Sequence, residues 1–377
     1  MTEASAPATS GIATRGPVLV IGTGLIGASI GLALTSRGVP VRLRDASPTA
    51  LALARDIGAG EPETADDDEP ALVVVAAPPD VTAGLVGAAL HTFRTATVTD
   101  VASVKARIQS DLEGFATVDL TRYVGSHPMA GRERHGATAA DGDLFAGRPW
   151  VLTPAPATTS ASVRAVRDLA VDLGASPVEM TAAEHDEAVA LVSHLPQLLS
   201  SIAAGRLLGA SERALGLAGQ GLRDVTRIAA SDPRLWAAIL AGNALPVRSA
   251  LREVRDDVDS LLAALDRAAD DGPLAVGAMA GIAGVISAGN DGVGRIPGKH
   301  GGSRRQYTEV TVLVPDRPGE LGRLFTEIGE IGVNIEDFQM EHSPRQKVGM
   351  AMVSVLPGVA AALVTDLEER GWRVVVE

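Results

Sequence analysis

Pro17-Val-Leu-Val-Ile-Gly22-Thr-Gly24-Leu25-Ile26-Gly27 decides the fold of this 377-residue chain. A short apolar, β-branched run ending in glycine reads as a buried parallel strand. Residues 25–37 are Ala/Leu-rich and predicted helical, with Gly38 as the stop. The turn between them has Gly-x-Gly-x-x-Gly spacing. Gly22 permits the tight turn, Gly24 lets the backbone approach a pyrophosphate, and Gly27 lets helix and strand pack closely. The phosphates then sit on the positive helix N-terminus, against Leu25 and Ile26. Such turns recur by chance, but Asp45 ends the second predicted strand 21 residues after Gly24. An acid there hydrogen-bonds the adenine ribose and repels a 2′-phosphate, which favours NAD over NADP. Arg44 keeps the alternative open, because its side chain can lean toward a phosphate.

Outward from this turn, residues 39–45 form the second strand. Residues 48–57 form a helix opened by Ser47 as N-cap and Pro48 at its first position. Six acids between Glu61 and Glu69 read as a solvated loop. Strands 72–77 and 96–100 flank a helix over 81–93. Alternation of this kind predicts an α/β domain, a doubly wound Rossmann-like parallel sheet with right-handed crossovers. From 181 to about 269 the pattern is all-helical. Two long stretches, 185–208 and 232–268, carry Pro196 and Pro246, which are predicted to kink them, and 280–290 adds a small-residue helix. Residues 289–306 are glycine-rich and basic and read as an exposed linker. Strands at 308–314, 333–342, 348–356 and 372–376 and helices at 319–329 and 359–370 then give βαββαβ, the α+β split ferredoxin-like motif. The predicted division is a disordered leader (1–16), a dinucleotide-binding domain (17–180), a helical substrate and dimerisation domain (181–289), a linker (290–306) and a C-terminal module (307–377).

Composition narrows the chemistry. A net charge of −13 argues against nucleic-acid or anionic-membrane partners. With no cysteine in the chain there are no disulfides, thiolate nucleophiles or Cys-ligated metals; no metal site is expected. No run approaches the length of a membrane span and the first 16 residues carry no signal pattern, so a soluble, cytoplasmic protein is expected.

Seven histidines can be weighed one by one. His91, His135, His300 and His342 fall on surface-type segments. His127, in Tyr123-Val-Gly-Ser-His127-Pro-Met-Ala-Gly131, ends a further strand, where ligands of such sheets bind. A neutral imidazole there can accept a hydroxyl proton as hydride leaves the same carbon. His194 precedes Pro196 in Val192-Ser-His194-Leu-Pro196, and core packing and ligand contact weigh equally for it. His185 and Asp186 open the same helix, where the structural reading is favoured. An anionic substrate of so acidic a protein needs local cations, and Arg132, Arg223 and Arg227 are candidates. Asp224, three residues before Arg227, can hold its guanidinium. Ser103 in Asp100-Val-Ala-Ser103-Val-Lys105 sits at the carboxyl edge, able to bridge nicotinamide and substrate hydroxyl or to cap the next helix.

These motifs together resemble the prephenate dehydrogenases of the tyrosine-biosynthesis branch. The carriers are Gly-Thr-Gly-Leu-Ile-Gly at 22–27, Asp-Val-Ala-Ser-Val-Lys at 100–105 and Gly-Ser-His-Pro-Met-Ala-Gly at 125–131. Ser-His-Leu-Pro at 193–196 and Asp-Val-Thr-Arg-Ile-Ala with Ser-Asp-Pro at 224–233 complete the set. The resemblance implies NAD-dependent oxidative decarboxylation of prephenate to 4-hydroxyphenylpyruvate. It makes His127 the base and assigns Ser103 to the hydroxyl and nicotinamide, Arg227 to a substrate carboxylate and His194 to positioning. Glu133 would gate access or read the side-chain carboxylate through Arg132. Gln197 departs from the family, which often has a second histidine there, and Arg132 stands where many members have a small residue. Arogenate therefore stays open as the alternative substrate.

The C-terminal segment resembles an ACT domain, with Asp316-Arg317-Pro318-Gly319-Glu-Leu321 at its first strand–helix turn and Asn334 before its second strand. That implies an aromatic amino-acid effector, with a module that only dimerises as the alternative. A homodimer or dimer of dimers is expected. A phosphoglycerate-type 2-hydroxyacid dehydrogenase is disfavoured by the position of the glycine turn so close to the start. A non-catalytic NAD-bound amino-acid sensor is disfavoured because Ser103, His127, His194 and Arg227 are all present.

Overall fold

The computed structural model describes residues 11–115, 118–132, 136–297, 307–342 and 348–375. They fall into two compact units, Met1–Val254 and Arg255–Glu377.

The first unit is built on one sheet. Its strands are β1 (Val18–Ile21), β2 (Val41–Arg44), β3 (Glu61–Pro62), β4 (Leu72–Val75), β5 (Thr97–Asp100), β6 (Tyr123–Pro128), β7 (Pro149–Pro154) and β8 (Ser176–Glu179). They lie in the order β3-β2-β1-β4-β5-β6-β7-β8. Neighbours are parallel from β3 to β6 and again from β7 to β8. Only the β6–β7 pair is antiparallel, which makes the predicted parallel sheet a mixed one. β1 and β4 are buried throughout, as continuous apolar runs covered on both faces must be.

Side chains alternate between two cores. Val18, Val20, Leu72 and Val74 face helices α1 (Leu25–Thr35), α2 (Pro48–Asp56) and α5 (Ser160–Asp172). Leu19, Ile21, Val73 and Val75 face α3 (Pro79–Thr92) and α4 (Ala106–Glu113). Each such buried aliphatic side chain contributes about 1.5–3 kcal/mol. Ser47 caps α2 as expected, accepting a hydrogen bond from the Ala50 amide at 3.3 Å.

Two expectations change here. The acidic run is no free loop. Glu61 and Pro62 pair with β2, Asp67 holds Arg42 at 2.9 Å, and Glu69 accepts from the Thr95 amide at 2.7 Å. The predicted leader also ends earlier than residue 16. Thr14 is buried, and Asp172 accepts from its amide and its hydroxyl, each at 2.6 Å. Residues 1–10 lie outside the described set.

Helices α6 (Ala182–Val189), α7 (Leu195–Arg206), α8 (Glu212–Leu215), α9 (Gln220–Thr226) and α10 (Pro233–Gly242) follow. Where Pro196 predicts a kink, residues Ala190–His194 form a π-helical turn between α6 and α7. The second break falls at Asn243, between α10 and α11 (Ala244–Asp270), and not at Pro246. Pro246 lies in the first turn of α11, where its missing N–H leaves no helical bond unmade. The continuous helical run Ala182–Gly209 is long and apolar enough to cross a membrane by length and composition. It nonetheless buries His185, Asp186 and His194 within the first unit.

In the second unit α12 (Ala278–Gly294) runs five residues into the predicted linker, 290–306; residues 298–306 of that linker lie outside the described residues. β9 (Thr308–Pro315), α13 (Glu320–Ile331), β10 (Asp337–His342), β11 (Val348–Val355), α14 (Pro357–Glu369) and β12 (Arg373–Val375) reproduce the predicted βαββαβ order. The sheet is antiparallel, ordered β10-β11-β9-β12. Its core joins Val310, Val312, Val353, Leu324, Leu363 and Trp372.

Candidate active site

The glycine turn has the geometry its spacing demands. Gly22 has φ +99°, and a Cβ on it would stand 2.3 Å from the Ala76 carbonyl oxygen. A Cβ on Gly27 would meet the Gly22 carbonyl oxygen at 1.9 Å. Gly24 differs, since a Cβ there would touch no protein atom within 4 Å. Its bareness keeps open the space in front of the α1 N-terminus, which has no capping side chain and no acid in its first turn. That leaves the Leu25, Ile26 and Gly27 amides for an anion. At the end of β2, Asp45 Oδ2 accepts from the Thr23 amide at 2.7 Å and hydroxyl at 2.8 Å, and Oδ1 from the Ser47 amide at 2.8 Å. A rigid carboxylate beside a bare helix terminus fits a dinucleotide, with Asp45 toward the adenine ribose.

His127 stands at the carboxyl end of β6 and is half-buried. Its Nδ1 lies 2.9 Å from His185 Nε2, and His185 Nδ1 donates to Asp186 Oδ1 at 2.8 Å. This chain fixes the tautomers. A carboxylate can only accept, so His185 carries its proton on Nδ1 and presents a lone pair at Nε2. His127 then donates from Nδ1 and keeps its Nε2 lone pair for another partner. Loss of hydration, with His185, Lys105 and His194 nearby, holds the His127 pKa well below the usual 6.5. The ring is therefore a neutral proton acceptor over the physiological range.

Asp186 is itself fixed. Its carboxylate caps α4, accepting from the Lys105 and Ala106 amides, each at 2.9 Å. Its carbonyl accepts from Asn243 Nδ2 at 2.7 Å, and the same amide reaches His194 Nδ1 at 3.1 Å. His194 is buried at the end of the π turn, edge-on to Trp236, and burial lowers its pKa to about 4. Beneath β6, Lys105 is wholly buried, salt-bridged to Asp100, and donates to the Ser126 carbonyl at 2.7 Å. Tyr123 donates to the other Asp100 oxygen at 2.7 Å. Burial pushes the Lys105 pKa down and the Tyr123 pKa up.

The structure therefore brings His127 and His194 into one hydrogen-bonded assembly through His185, Asp186 and Asn243. Ser103 lies in a half-buried bend before α4. Because Asp186 supplies the α4 cap, Ser103 does not act as the N-cap. Arg132 is salt-bridged to Asp141 and so is already partnered. Asp224 accepts from Gln220 Nε2 at 2.8 Å, and Arg227 opens the 3₁₀ turn after α9. Glu133 lies outside the described residues, as does His135. In the second unit Asp316 to Pro318 precede Gly319, the N-cap of α13 with φ +91°; Leu321 lies in its first turn, and Asn334 donates to Glu336 at 3.0 Å.

Sequence reading missed His185, Lys105 and Asn243. A His-Asp pair at a helix start looks like dipole chemistry. No spacing rule links it to a histidine 58 residues earlier.

Comparison with known proteins supplies the family. Residues 30–179 match the model for the prephenate dehydrogenase nucleotide-binding domain, and 181–276 that for the prephenate dehydrogenase dimerization domain. The chain is 38% identical over 361 residues to probable prephenate dehydrogenase NovF of Streptomyces niveus, covering 94% of this chain and 98% of that one. The chain belongs to the prephenate dehydrogenase family. Another relative is the prephenate dehydrogenase of Bacillus subtilis, 26% identical over 89% of this chain and 91% of its own. Among solved structures, Aquifex aeolicus prephenate dehydrogenase in complex with hydroxyphenyl propionate and NAD+ superposes with a TM-score of 0.63 at 26% identity. It covers 73% of this chain and 96% of its own. Synechocystis arogenate dehydrogenase gives 0.59 at 25% identity, covering 73% and 98%. The cofactor of this chain is NAD.

Proposed function

We propose that the chain catalyses the NAD-dependent oxidative decarboxylation of prephenate, with His127 as the base. The observation that carries this reading is the His127–His185–Asp186 chain, which engages Nδ1 and leaves the lone pair on Nε2 of a neutral imidazole at the carboxyl end of β6. Bound NAD supplies the hydride acceptor for the ring carbon bearing the hydroxyl. His127 Nε2 takes the hydroxyl proton as that carbon becomes a carbonyl. The imidazolium so formed is stabilised through His185 by the Asp186 charge. The C1–carboxylate bond then breaks, its electron pair enters the ring, and CO2 leaves. His127 returns the proton to the resulting phenolate, so protons balance over the cycle. Ser103 holds the hydroxyl, Arg227, steadied by Asp224, holds a substrate carboxylate, His194 positions the substrate, and Glu133 would gate access or read the side-chain carboxylate through Arg132.

One observation favours arogenate as a second substrate. Asp141 neutralises Arg132, the cation that would distinguish a keto acid from an amino acid. Following NADH formation with each substrate separates the two readings. No turnover with either substrate, in a protein that still binds NAD, would leave only the sensor reading.

We infer further that residues 307–377 form an ACT module, joined to the helical region before it through residues 295–306. An aromatic amino acid would be held by Asp316, Arg317, Pro318, Gly319, Leu321 and Asn334. The βαββαβ order and the left-handed Gly319 at the first strand–helix turn support this. Rates unchanged across millimolar tyrosine would remove it. The enzyme would work in the cytoplasm as a homodimer or dimer of dimers, the helical part corresponding to the family's dimerization domain.

A further inference from the structure

We propose that Glu63 is a cofactor-specificity residue, excluding NADP by keeping Arg44 occupied. Arg44 immediately precedes Asp45 at the end of β2. A cation in that neighbourhood is what a 2′-phosphate requires. In this structure its guanidinium is committed as a fork to Glu63: Nε donates to Oε2 at 2.6 Å and Nη2 to Oε1 at 2.7 Å. The guanidinium carbon also lies 5.9 Å from the centre of the Phe93 ring. The Nε/Nη2 edge of the guanidinium, one of its two bidentate edges, is therefore used, and its charge is countered by Glu63.

Glu63 is not a loosely placed partner. Its amide donates to the Leu43 carbonyl at 2.9 Å, continuing the β2–β3 pairing. Asp67 then accepts from the Thr64 amide at 2.7 Å and holds Arg42 at 2.9 Å. The acidic run is thus a strap laid along β2 that neutralises its two cations. Asp45 keeps its negative charge, fixed by Thr23 and Ser47. With Arg44 and Glu63 cancelling, a 2′-phosphate meets a net negative site. With Glu63 neutral or removed, the Arg44 fork becomes available and the local balance approaches zero.

The test is titration of the full-length enzyme with NAD+ and with NADP+, read by calorimetry, for wild type, Glu63→Gln and Glu63→Ala. The expected result is NADP+ affinity raised by about tenfold or more, the worth of a charge-assisted phosphate contact. NAD+ affinity should stay within about twofold, since the lost pair is a surface one. Adding Arg44→Ala to either variant should restore the wild-type preference. Glu63→Asp, which keeps the charge and shortens the reach, should give an intermediate shift and guards against misfolding of the other two. Unchanged NADP+ affinity across variants that still bind NAD+ would overturn the proposal. A gain that persists in the double variant would overturn it as well.

Discussion

His127 Nδ1 lies 2.9 Å from His185 Nε2, and this single contact determines which nitrogen of His127 keeps a lone pair to accept a proton. Remove the acceptor and the imidazole is free to hold its proton on Nε2, where it cannot act as a base. His185→Phe should lower kcat by about tenfold or more, within the range of general-base effects and less than His127→Asn. His185→Gln, whose carbonyl can still accept from Nδ1, should recover part of the loss. The acid limb of the pH–rate profile should also move toward 6.5 in His185→Phe, because His185 is one of the groups depressing the His127 pKa. A packing defect alone would leave that limb in place.

Two glycines of the turn, Gly24 and Gly27, should respond differently to one methyl group. Gly27→Ala places a Cβ 1.9 Å from the Gly22 carbonyl oxygen, so the turn must move. Stability should drop by about 1–3 kcal/mol and NAD+ affinity with it. Gly24→Ala meets no protein atom within 4 Å, so its melting temperature should hold while NAD+ affinity falls. Thermal melts and calorimetric titrations of the two variants check both statements.

Acid should destabilise the fold through His194. Its pKa drops from 6.5 to about 4 on folding, so the unfolded chain takes up the proton first as pH falls. Stability from this group is complete above about 6.5 and declines, by about 1.4 kcal/mol per pH unit at most, down to about 4. Denaturant midpoints at pH 7 and pH 5 should differ less in His194→Asn than in the wild type.

Lys105 is the buried counter-charge of Asp100. Lys105→Met leaves that carboxylate wholly buried, with Tyr123 and the Ala102 amide as its remaining donors among the described residues. Unpairing a buried charge costs about 3–5 kcal/mol, which urea unfolding will register.

The parts of this molecule that a sequence displays are those with local causes. The Val18–Ile21 strand, the Gly22–Gly27 turn and Asp45 are tied by spacings of a few tens of residues, and all fall where predicted. His127 is legible because a histidine at a strand's carboxyl end is already at the ligand edge. His185 is not, since only the placement of α6 beside β6 turns a helix-start histidine into its partner. Pro246 misleads for a related reason. Its effect depends on whether it falls inside a helix or in a first turn, and that boundary is set by Asn243, whose side chain is drawn to His194 and Asp186. The acidic run reads as solvated because charge pattern alone does not reveal that Arg42 and Arg44 lie alongside it.

The π turn at Ala190–His194 has one more residue than an α-helical turn spanning the same gap. Its two flanks are both anchored, α6 through Asp186 on the α4 N-terminus and His194 through Asn243. The surplus residue therefore sets the phase of everything after it. Deleting any one of those five residues would turn α7 by about 100° against α6, the angle of one residue in an α-helix. Point substitutions here change only what a side chain offers. A change in chain length would swing the whole face bearing Gln197 and Ser200 away, which makes this turn the place where the family's helical domain can be re-indexed in a single mutational event.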